Sequence, residues 1–456
     1  DQSINLLQKL ENTSDRKRIV AQSLDIQGRL QRARGDSETA IETWQKAATI
    51  YTEIGNKDAV IQNQINQSQA LQDLGLYPRA CQTLLKAFEL DIPDCKTLNE
   101  LPPETATKKL EIISNRPDSL LKFDAMYGLG DILRSIGDLQ LSQNILESSL
   151  TVARNLRSPL EQSTAMLALG NTARAFVERQ ILLPPQDQDT TILILKTQAA
   201  LNFYREAAQL SPSLTTKLQA QLNQLSLLLE SQPWIGDDEL TKAADLWPSI
   251  QAEMNNLPAS RAGIYAQINL AQIYLKLQKR GASVARFSLP LPTAIEINKI
   301  LTKAAEQARI LGDKKAEAYA VGSLGTLYER SKQWQPAESL TNQALSLVSS
   351  SKAADITYQY FWQLGRIHKA QADIEKSLGN TDKAEKYIET AIVAYTNAFE
   401  NLRSLRSDLV AINPEVQFSF RDSVEPVYRQ LVALNLQVAK SLIAKGKIDD
   451  SQKSLK

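Results

Sequence analysis

Small residues recur in this chain at fixed offsets, and no other feature restricts its fold so strongly. A small residue is followed twelve positions later by a second one and seven positions after that by a third. Complete copies of this ladder are Gly28, Ala40, Ala47; Ser68, Ala80, Ala87; Gly130, Ser142, Ser149; and Gly325, Ala337, Ala344. Small side chains at fixed offsets let paired helices approach closely, so the ladder predicts a chain of repeated helical hairpins. Gly35, Gly75 and Gly137 follow their anchors by seven residues and are expected to end the first helix in a left-handed conformation.

The ladder resembles the tetratricopeptide repeat, which has small residues at its eighth, twentieth and twenty-seventh positions and an aromatic residue at its eleventh. Aromatic residues stand where this pattern wants bulky side chains: Tyr274, Tyr328, Trp44 and Tyr204. Anchors such as Gly28 and Ser68 lie forty residues apart, whereas the usual repeat has about 34. The resemblance implies an all-α fold, an α-solenoid of about eight or nine lengthened hairpins in a right-handed superhelix.

The repeat region is predicted to span residues 1–400, with insertions near 91–117, 182–191, 233–238 and 283–292. Prolines are expected to mark helix ends in all of them. Between 211 and 258 a degenerate helical pair is expected, and its register cannot be assigned. The insertions are interpreted as tolerated surface loops, with accessory binding loops as the alternative.

Residues 401–456 are predicted to be a C-terminal helical segment that leads into a further domain. The stretch Leu402–Leu434 resembles the segment before the caspase-like domain of bacterial CHAT proteins, which are common in filamentous cyanobacteria. The matching residues are Asn413-Pro414, Gln417–Arg421 and Val424–Arg429. The resemblance implies that the full-length protein continues into a protease-like effector domain. A last hairpin that turns at Gly446 and is unfinished at Lys456 favours the same interpretation.

Charge and cysteine content narrow the classes of partner and compartment. The chain has 52 basic and 51 acidic residues and no basic run, which argues against nucleic acid as a partner. No apolar stretch approaches the roughly 18 residues that span a bilayer. Cys81 and Cys95 are either two separate thiols or a disulfide. A disulfide is possible because the segment Asp91–Cys95, if extended, can return over the length of helix that follows Cys81. A disulfide would favour an exported protein, so cytoplasmic and exported locations both stay open.

The sequence contains no constellation that predicts catalysis. His368 is the single histidine, and it occupies the slot that Tyr274 and Tyr328 hold in other repeats, so it is expected to pack between the helices of its hairpin. One histidine and two cysteines at these spacings predict neither a Cys–His pair nor a metal site. A phosphate-binding glycine loop is absent as well. No enzyme activity and no cofactor are therefore predicted.

Residues one and four positions past each anchor are predicted to face the groove of a tetratricopeptide array. As candidates for contact with a partner we select Arg29, Arg32, Gln69, Asp131, Arg134, Asn171, Arg174, Gln272, Arg366 and Lys369. Arg134, Asn171 and Arg174 come from adjacent repeats and suggest a clamp for a carboxylate or a peptide backbone. An acidic or extended peptide is therefore expected in the N-terminal half of the groove, although a solvated polar face would look the same at any single position.

Three functions fit these observations. The first is a scaffold that binds a protein or peptide and recruits it to, or regulates, a C-terminal effector. The second is the substrate-recognition or autoregulatory part of a caspase-like protease. The third is a self-assembling structural module, which would form oligomers through an uncovered last helix.

Overall fold

The computed structural model describes residues 13–236, 238–280, 293–348, 354–405 and 425–444. Within these ranges every regular element is a helix. The chain forms two compact units, residues 1–291 with 311–313 and residues 292–310 with 314–456. The predicted all-α fold of stacked helical hairpins is confirmed.

The first unit is built mainly from pairs of antiparallel helices. Its helices are α1 Ser14–Ala33, α2 Ser37–Glu53, α3 Lys57–Asp73, α4 Tyr77–Ala87, α5 Cys95–Glu100, α6 Pro103–Ser114, α7 Leu120–Ser135, α8 Leu139–Asn155, α9 Pro159–Leu182, α10 Thr190–Leu210, α11 Leu214–Ile235, α12 Asp238–Asn255 and α13 Arg261–Arg280. The pairs α1/α2, α3/α4, α7/α8, α9/α10 and α11/α12 pack as hairpins. The second unit contains α14 Ala294–Leu311, α15 Lys314–Arg330, α16 Trp334–Val348, α17 Ala354–Ser377, α18 Thr381–Leu405 and α19 Glu425–Ala444, with hairpins α15/α16 and α17/α18.

Short turns with a glycine and a capping residue separate the helices. Gly35, Gly75 and Gly137 have φ angles of 84°, 76° and 90°, which confirms the predicted left-handed helix ends. Asp36 and Asp138 follow two of these glycines, and each side chain accepts a hydrogen bond from a backbone amide of the next helix. The dipeptide Gly-Asp thus ends one helix and starts its partner.

The ladder of small residues marks the crossing of the two helices in a hairpin. A Cβ atom added to Gly28 would lie 2.6 Å from the indole of Trp44, which is fully buried on α2. Where the ladder has a serine, its hydroxyl binds the facing helix of the hairpin. Ser142 donates a 2.7 Å hydrogen bond to the carbonyl oxygen of Gly130. The small residues are therefore required by the distance between the helices.

Two of the predicted insertions contain more helix than the sequence indicated. Between residues 91 and 117, where the sequence predicted an insertion, lie the two helices α5 and α6. Near 233–238, α11 ends at Ile235 and α12 begins at Asp238, so the degenerate pair is a hairpin with a short connection. The expectation that prolines end helices there is wrong, because Pro233 and Pro248 lie inside α11 and α12.

Tertiary packing explains the proline within α12. An internal proline costs a helix about 3 kcal/mol because it removes a hydrogen bond and crowds the preceding turn. Trp247 and Ile250 flank Pro248 and are buried, at 5% and 0% exposure. The burial of these two side chains stabilises the helical conformation around Pro248 and offsets the free-energy cost of the proline.

The two cysteines are joined by a disulfide in the structure. The Cα atoms of Cys81 on α4 and Cys95 at the start of α5 lie 5.9 Å apart. Both residues belong to a hydrophobic cluster that also contains Leu98, Leu110 and Phe123. The crosslink therefore attaches the irregular segment after α4 to the hairpin that precedes it.

Several sequence predictions fall outside the described residues. They are the insertion near 283–292, most of the CHAT-like residues between 413 and 424, and the turn at Gly446. The predicted position of His368 is confirmed. This residue is buried on α17 at 7% exposure, and its ring lies 6.1 Å from that of Tyr387 on α18.

Candidate binding face

The first helices of successive hairpins share a polar face. In the first unit these are α1, α3, α7, α9, α11 and α13, and each contacts the next one along the chain. We call the side of these helices that carries the predicted groove residues the first-helix face. Its polar side chains bond to each other across hairpin boundaries.

Arg32 connects α1 to α3 at one end of this face. Its Nε donates to Asp73 Oδ2 at 2.7 Å, and its Nη1 donates to Gln69 Oε1 at 2.7 Å. The Ser37 hydroxyl also donates to Asp73. The structure thus brings together the predicted pair Arg32 and Gln69, and it shows Asp73 as the acceptor that the sequence did not reveal.

Asp73 also contacts a helix far away in sequence. Arg261 at the start of α13 lies 3.3 Å from Asp73 Oδ2 and 2.9 Å from Asp313 Oδ2, and both carboxylate side chains are buried. Burial raises the pKa of the Asp73 carboxyl, but the charges of Arg32 and Arg261 outweigh it and hold the pKa below its usual value. An ionised Asp73 therefore ties the two ends of this row of helices together.

Arg134 on α7 is paired with its own helix. Its Nη2 donates to Asp131 Oδ1 at 2.7 Å, and both side chains are largely buried. Burial alone would lower the pKa of Arg134, but the charge of Asp131 raises it above its usual value. The guanidinium is therefore charged, and a carboxylate of the protein already neutralises it.

Arg174 is the most buried of the predicted arginines, at 4% exposure. It donates to Glu178 on α9 at 3.0 Å and to Glu230 on α11 at 2.7 Å. Lys276 on α13 donates to the other oxygen of Glu230 at 3.0 Å. Burial raises the pKa of Glu230, but the charges of Arg174 and Lys276 hold it at about 2. Three first helices thus meet in one ionic network.

Asn171 lies beside this network on α9. Its Oδ1 accepts hydrogen bonds from the Tyr204 hydroxyl at 3.0 Å and from Asn223 Nδ2 at 2.8 Å. Burial raises the pKa of the Tyr204 phenol, and the positive charges of Arg174 and Arg134 act against this rise. Of the three residues of the predicted clamp, Asn171 binds Tyr204 directly, and each of the three is already paired within the chain.

Two carboxylates on the face differ from the rest. Asp25 on α1 accepts a 2.8 Å hydrogen bond from Tyr51, and Asp124 on α7 accepts a 3.3 Å bond from Gln62. No lysine or arginine in the described ranges forms an ion pair with either one. Burial raises the pKa of both carboxyls. The sequence offset from the anchor glycines did not select these two residues.

The remaining candidates lie apart from these clusters. Arg29 is exposed on α1, and Gln272 is half-buried on α13. In the second unit, Arg366 on α17 binds Glu329 on α15 through two hydrogen bonds of 2.6 and 2.8 Å and stacks 4.3 Å from the ring centre of Trp362. Lys369 pairs with Asp373 at 2.8 Å on the exposed side of α17.

Neither a metal-ligand cluster nor a membrane-spanning helix occurs among the described residues. No group of three or more His, Cys, Asp or Glu side chains among them could hold a metal ion. None of the helices in the described ranges is long and apolar enough to cross a membrane.

The similarities to known proteins come from solved structures. No protein-family model and no curated protein matches the sequence. Solved structures of helical-repeat proteins are similar at low identity. A Rap protein complexed with competence and sporulation factor is 12% identical with a TM-score of 0.37, covering 94% of this chain and 99% of that one. Yeast Tom70 is 12% identical with a TM-score of 0.35, covering 96% and 91%.

A human IFIT1 dimer with PPP-AAAA is 13% identical with a TM-score of 0.33, covering 98% of this chain and 91% of that one. The likeness to these three proteins is limited to a helical-repeat architecture. On its own fold, the chain belongs to the broad class of all-α solenoids built from tetratricopeptide-type hairpins.

Proposed function

We propose that the chain is a protein-interaction scaffold that binds an extended segment of a protein or peptide on its first-helix face. The observation that carries this proposal is the presence of buried donors without acceptors there. Asn66 Nδ2 on α3 and Arg174 Nη1 on α9 have no hydrogen-bond partner within the described part of the chain. A buried donor without a partner costs about 1–3 kcal/mol, and peptide carbonyl groups would provide acceptors.

The rigidity of the face supports the same proposal. The cross-hairpin bonds of Arg32 and Arg174 hold neighbouring first helices in one arrangement. A surface that is already ordered loses little conformational entropy when it binds an extended chain, so a larger part of the contact energy contributes to affinity. The near-balance of 52 basic and 51 acidic residues favours a protein partner over nucleic acid.

The sequence adds a finer proposal about regulation. If the CHAT-like residues near 413–429 lead into a caspase-like domain, binding on the repeats would recruit substrates to that domain or control it. The arrangement favours binding over catalysis for the repeats themselves, because their polar groups form structural ion pairs instead of a nucleophile and base pair.

A library of random dodecapeptides displayed on phage tests the main proposal directly. We expect selected peptides to bind wild-type protein and to bind Arg174→Gln at least tenfold more weakly. The matched control is Arg205→Gln, because Arg205 is an exposed arginine on the second helix of the same hairpin. Selected peptides that bind both variants as well as the wild type would show that the first-helix face is not the binding surface.

One surface favours self-association as a second candidate function. On α19, Val432, Leu436 and Ile443 are 57%, 46% and 55% exposed. Three apolar side chains on one exposed side of a helix are typical of a surface that another copy covers. Light scattering across a hundredfold range of protein concentration would detect dimers, and Leu436→Lys should abolish them. A monomer at every concentration would exclude this candidate.

A further inference from the structure

The charge pattern of the first-helix face determines which side chain of a partner it can accept. The sequence predicted an acidic or extended peptide because arginines and an asparagine occupy the groove positions. In the structure, however, Arg32, Arg134 and Arg174 are neutralised by carboxylates of the protein. A ligand carboxylate would have to displace one of these carboxylates, which gains little net electrostatic energy.

Asp25 and Asp124 show the opposite situation. They lie on either side of α3, which provides neighbours to both: Gln62 donates to Asp124, and the side chain of the adjacent Asn63 lowers the pKa of Asp25 against the effect of burial. Neither carboxylate forms an ion pair with a described residue. Glu161 on α9 adds a further negative charge that acts on Asp124. This part of the face therefore carries carboxylates that lack a cation.

Asp25 and two buried amides of α3 have polar atoms without a hydrogen-bond partner among the described residues. Asn63 is fully buried, and its Oδ1 has no donor, as is also true of Asp25 Oδ1. Asn66 is 7% exposed; its Oδ1 accepts a bond from Gln62, while its Nδ2 has no acceptor. Two acceptors and one donor without partners fit a group that brings several N–H donors together with a carbonyl oxygen.

We propose that Asp25, Asp124 and the amides of α3 between them form a subsite for a lysine or arginine side chain of an extended peptide. The cation would lie between the two carboxylates, and Asn66 would donate to a carbonyl oxygen of the peptide. No group of three or more His, Cys, Asp or Glu side chains that could hold a metal ion occurs among the described residues. The inference rests on the proposed peptide-binding function and specifies the chemistry of its ligand.

A substitution of Arg29 distinguishes a subsite for a cation from a groove for an acidic peptide. Burial raises the pKa of both Asp25 and Asp124, and the charge of this exposed arginine opposes that rise. Arg29 forms no ion pair with either carboxylate. If the site accepts a cation, Arg29 competes with the ligand, and Arg29→Gln should strengthen binding. If the groove accepts an acidic peptide, the same substitution should weaken binding.

Blocked nonapeptides of glycine and serine with one central residue test the subsite. The central residue is lysine, arginine, norleucine or glutamate, and binding is followed by carboxyl ¹³C chemical shifts of aspartate-labelled full-length chain. We expect the lysine and arginine peptides to bind at least tenfold more tightly than the other two. We expect this preference to disappear in Asp25→Asn/Asp124→Asn and to increase in Arg29→Gln. Asp245→Asn removes one carboxylate charge from an exposed site on α12 and should leave the preference unchanged.

A stability measurement separates the binding role from a structural one. Because burial disfavours the ionised forms of Asp25 and Asp124, the asparagine variant should melt at the same or a higher temperature while it loses the cation preference. Equal binding of lysine and norleucine peptides, or a preference that survives in the double variant, would overturn the subsite alone. If neither these peptides nor library-selected peptides bind at all, the proposed function fails with it.

Discussion

Two glycines on α7 allow a direct test of how the hairpins pack. A Cβ atom added at Gly130 would lie 2.6 Å from Leu146 Cγ and 2.8 Å from Leu146 Cδ2. At Gly128, two residues earlier on the same helix, the nearest atom would be Leu84 Cδ2 at the ordinary contact distance of 3.9 Å. Gly128→Ala and Gly130→Ala therefore make the same chemical change in different surroundings.

The two substitutions should change stability in opposite directions. Alanine is favoured over glycine within a helix by about 1 kcal/mol, so Gly128→Ala should stabilise α7 by up to that amount. At Gly130 the same gain is opposed by overpacking, which costs about 1–3 kcal/mol. Leu146 is fully buried, so it has little freedom to move away. The net effect of Gly130→Ala should be a loss of up to about 2 kcal/mol in the stability of the hairpin.

Native-state hydrogen exchange of the α7 and α8 amides is the appropriate assay, because a repeat array does not unfold as one two-state unit. Protection should rise in Gly128→Ala and fall in Gly130→Ala. Leu146→Ala removes both clashing atoms, so Gly130→Ala should cost less protection in that background than in the wild type. If both glycine variants change protection in the same direction, small residues in the ladder are not set by the helix crossing.

Three further predictions concern crosslinks and charge. Reduction of the disulfide between Cys81 and Cys95 should lower stability by about 3 kcal/mol, the value for a loop of this length, and proteolysis should then cleave between α4 and α6 first. Glu230→Gln leaves the buried Arg174 without its closest carboxylate, so thermal denaturation should show a loss of about 3 kcal/mol. The pKa of Glu230 is lowered from 4.5 to about 2, so its contribution exists above pH 4.5 and is lost as the pH falls towards 2. Acid titrations of the melting temperature should show this loss in the wild type and not in Glu230→Gln. Asp73→Asn should shift the acid limit in the same way, since the pKa of Asp73 is also lowered.

The helical hairpins could be predicted from the sequence because the requirement for small residues at helix crossings is local and periodic. Gly28, Ala40 and Ala47 must be small wherever two helices of fixed length cross, so the requirement recurs at fixed offsets. The resemblance assigned Trp44 and Tyr204 to bulky positions of the repeat, and in the structure they pack against Gly28 and Gly170. It failed at Pro248, because the burial of Trp247 and Ile250 that keeps α12 helical depends on other helices.

The polar residues of the first-helix face could be predicted from the sequence only in part. Counting one and four residues past an anchor located Arg32 and Arg174, yet it could not show that each is already paired with a carboxylate. Asp25 and Asp124 precede their anchors by three and six residues, so the same rule omitted them. Glu230 was missed because it lies in the stretch where the repeat register could not be assigned.

The sequence by itself determined that this protein is a series of helical hairpins, because small residues at helix crossings and glycines at helix ends act within one repeat. Only the tertiary structure decided the chemistry of the binding face. Arg174 and Glu230 are 56 residues apart, and Arg261 contacts both Asp73 and Asp313. Such charge pairs depend on how separate hairpins stack, and the energy of a charge is set by the partner and burial that stacking provides.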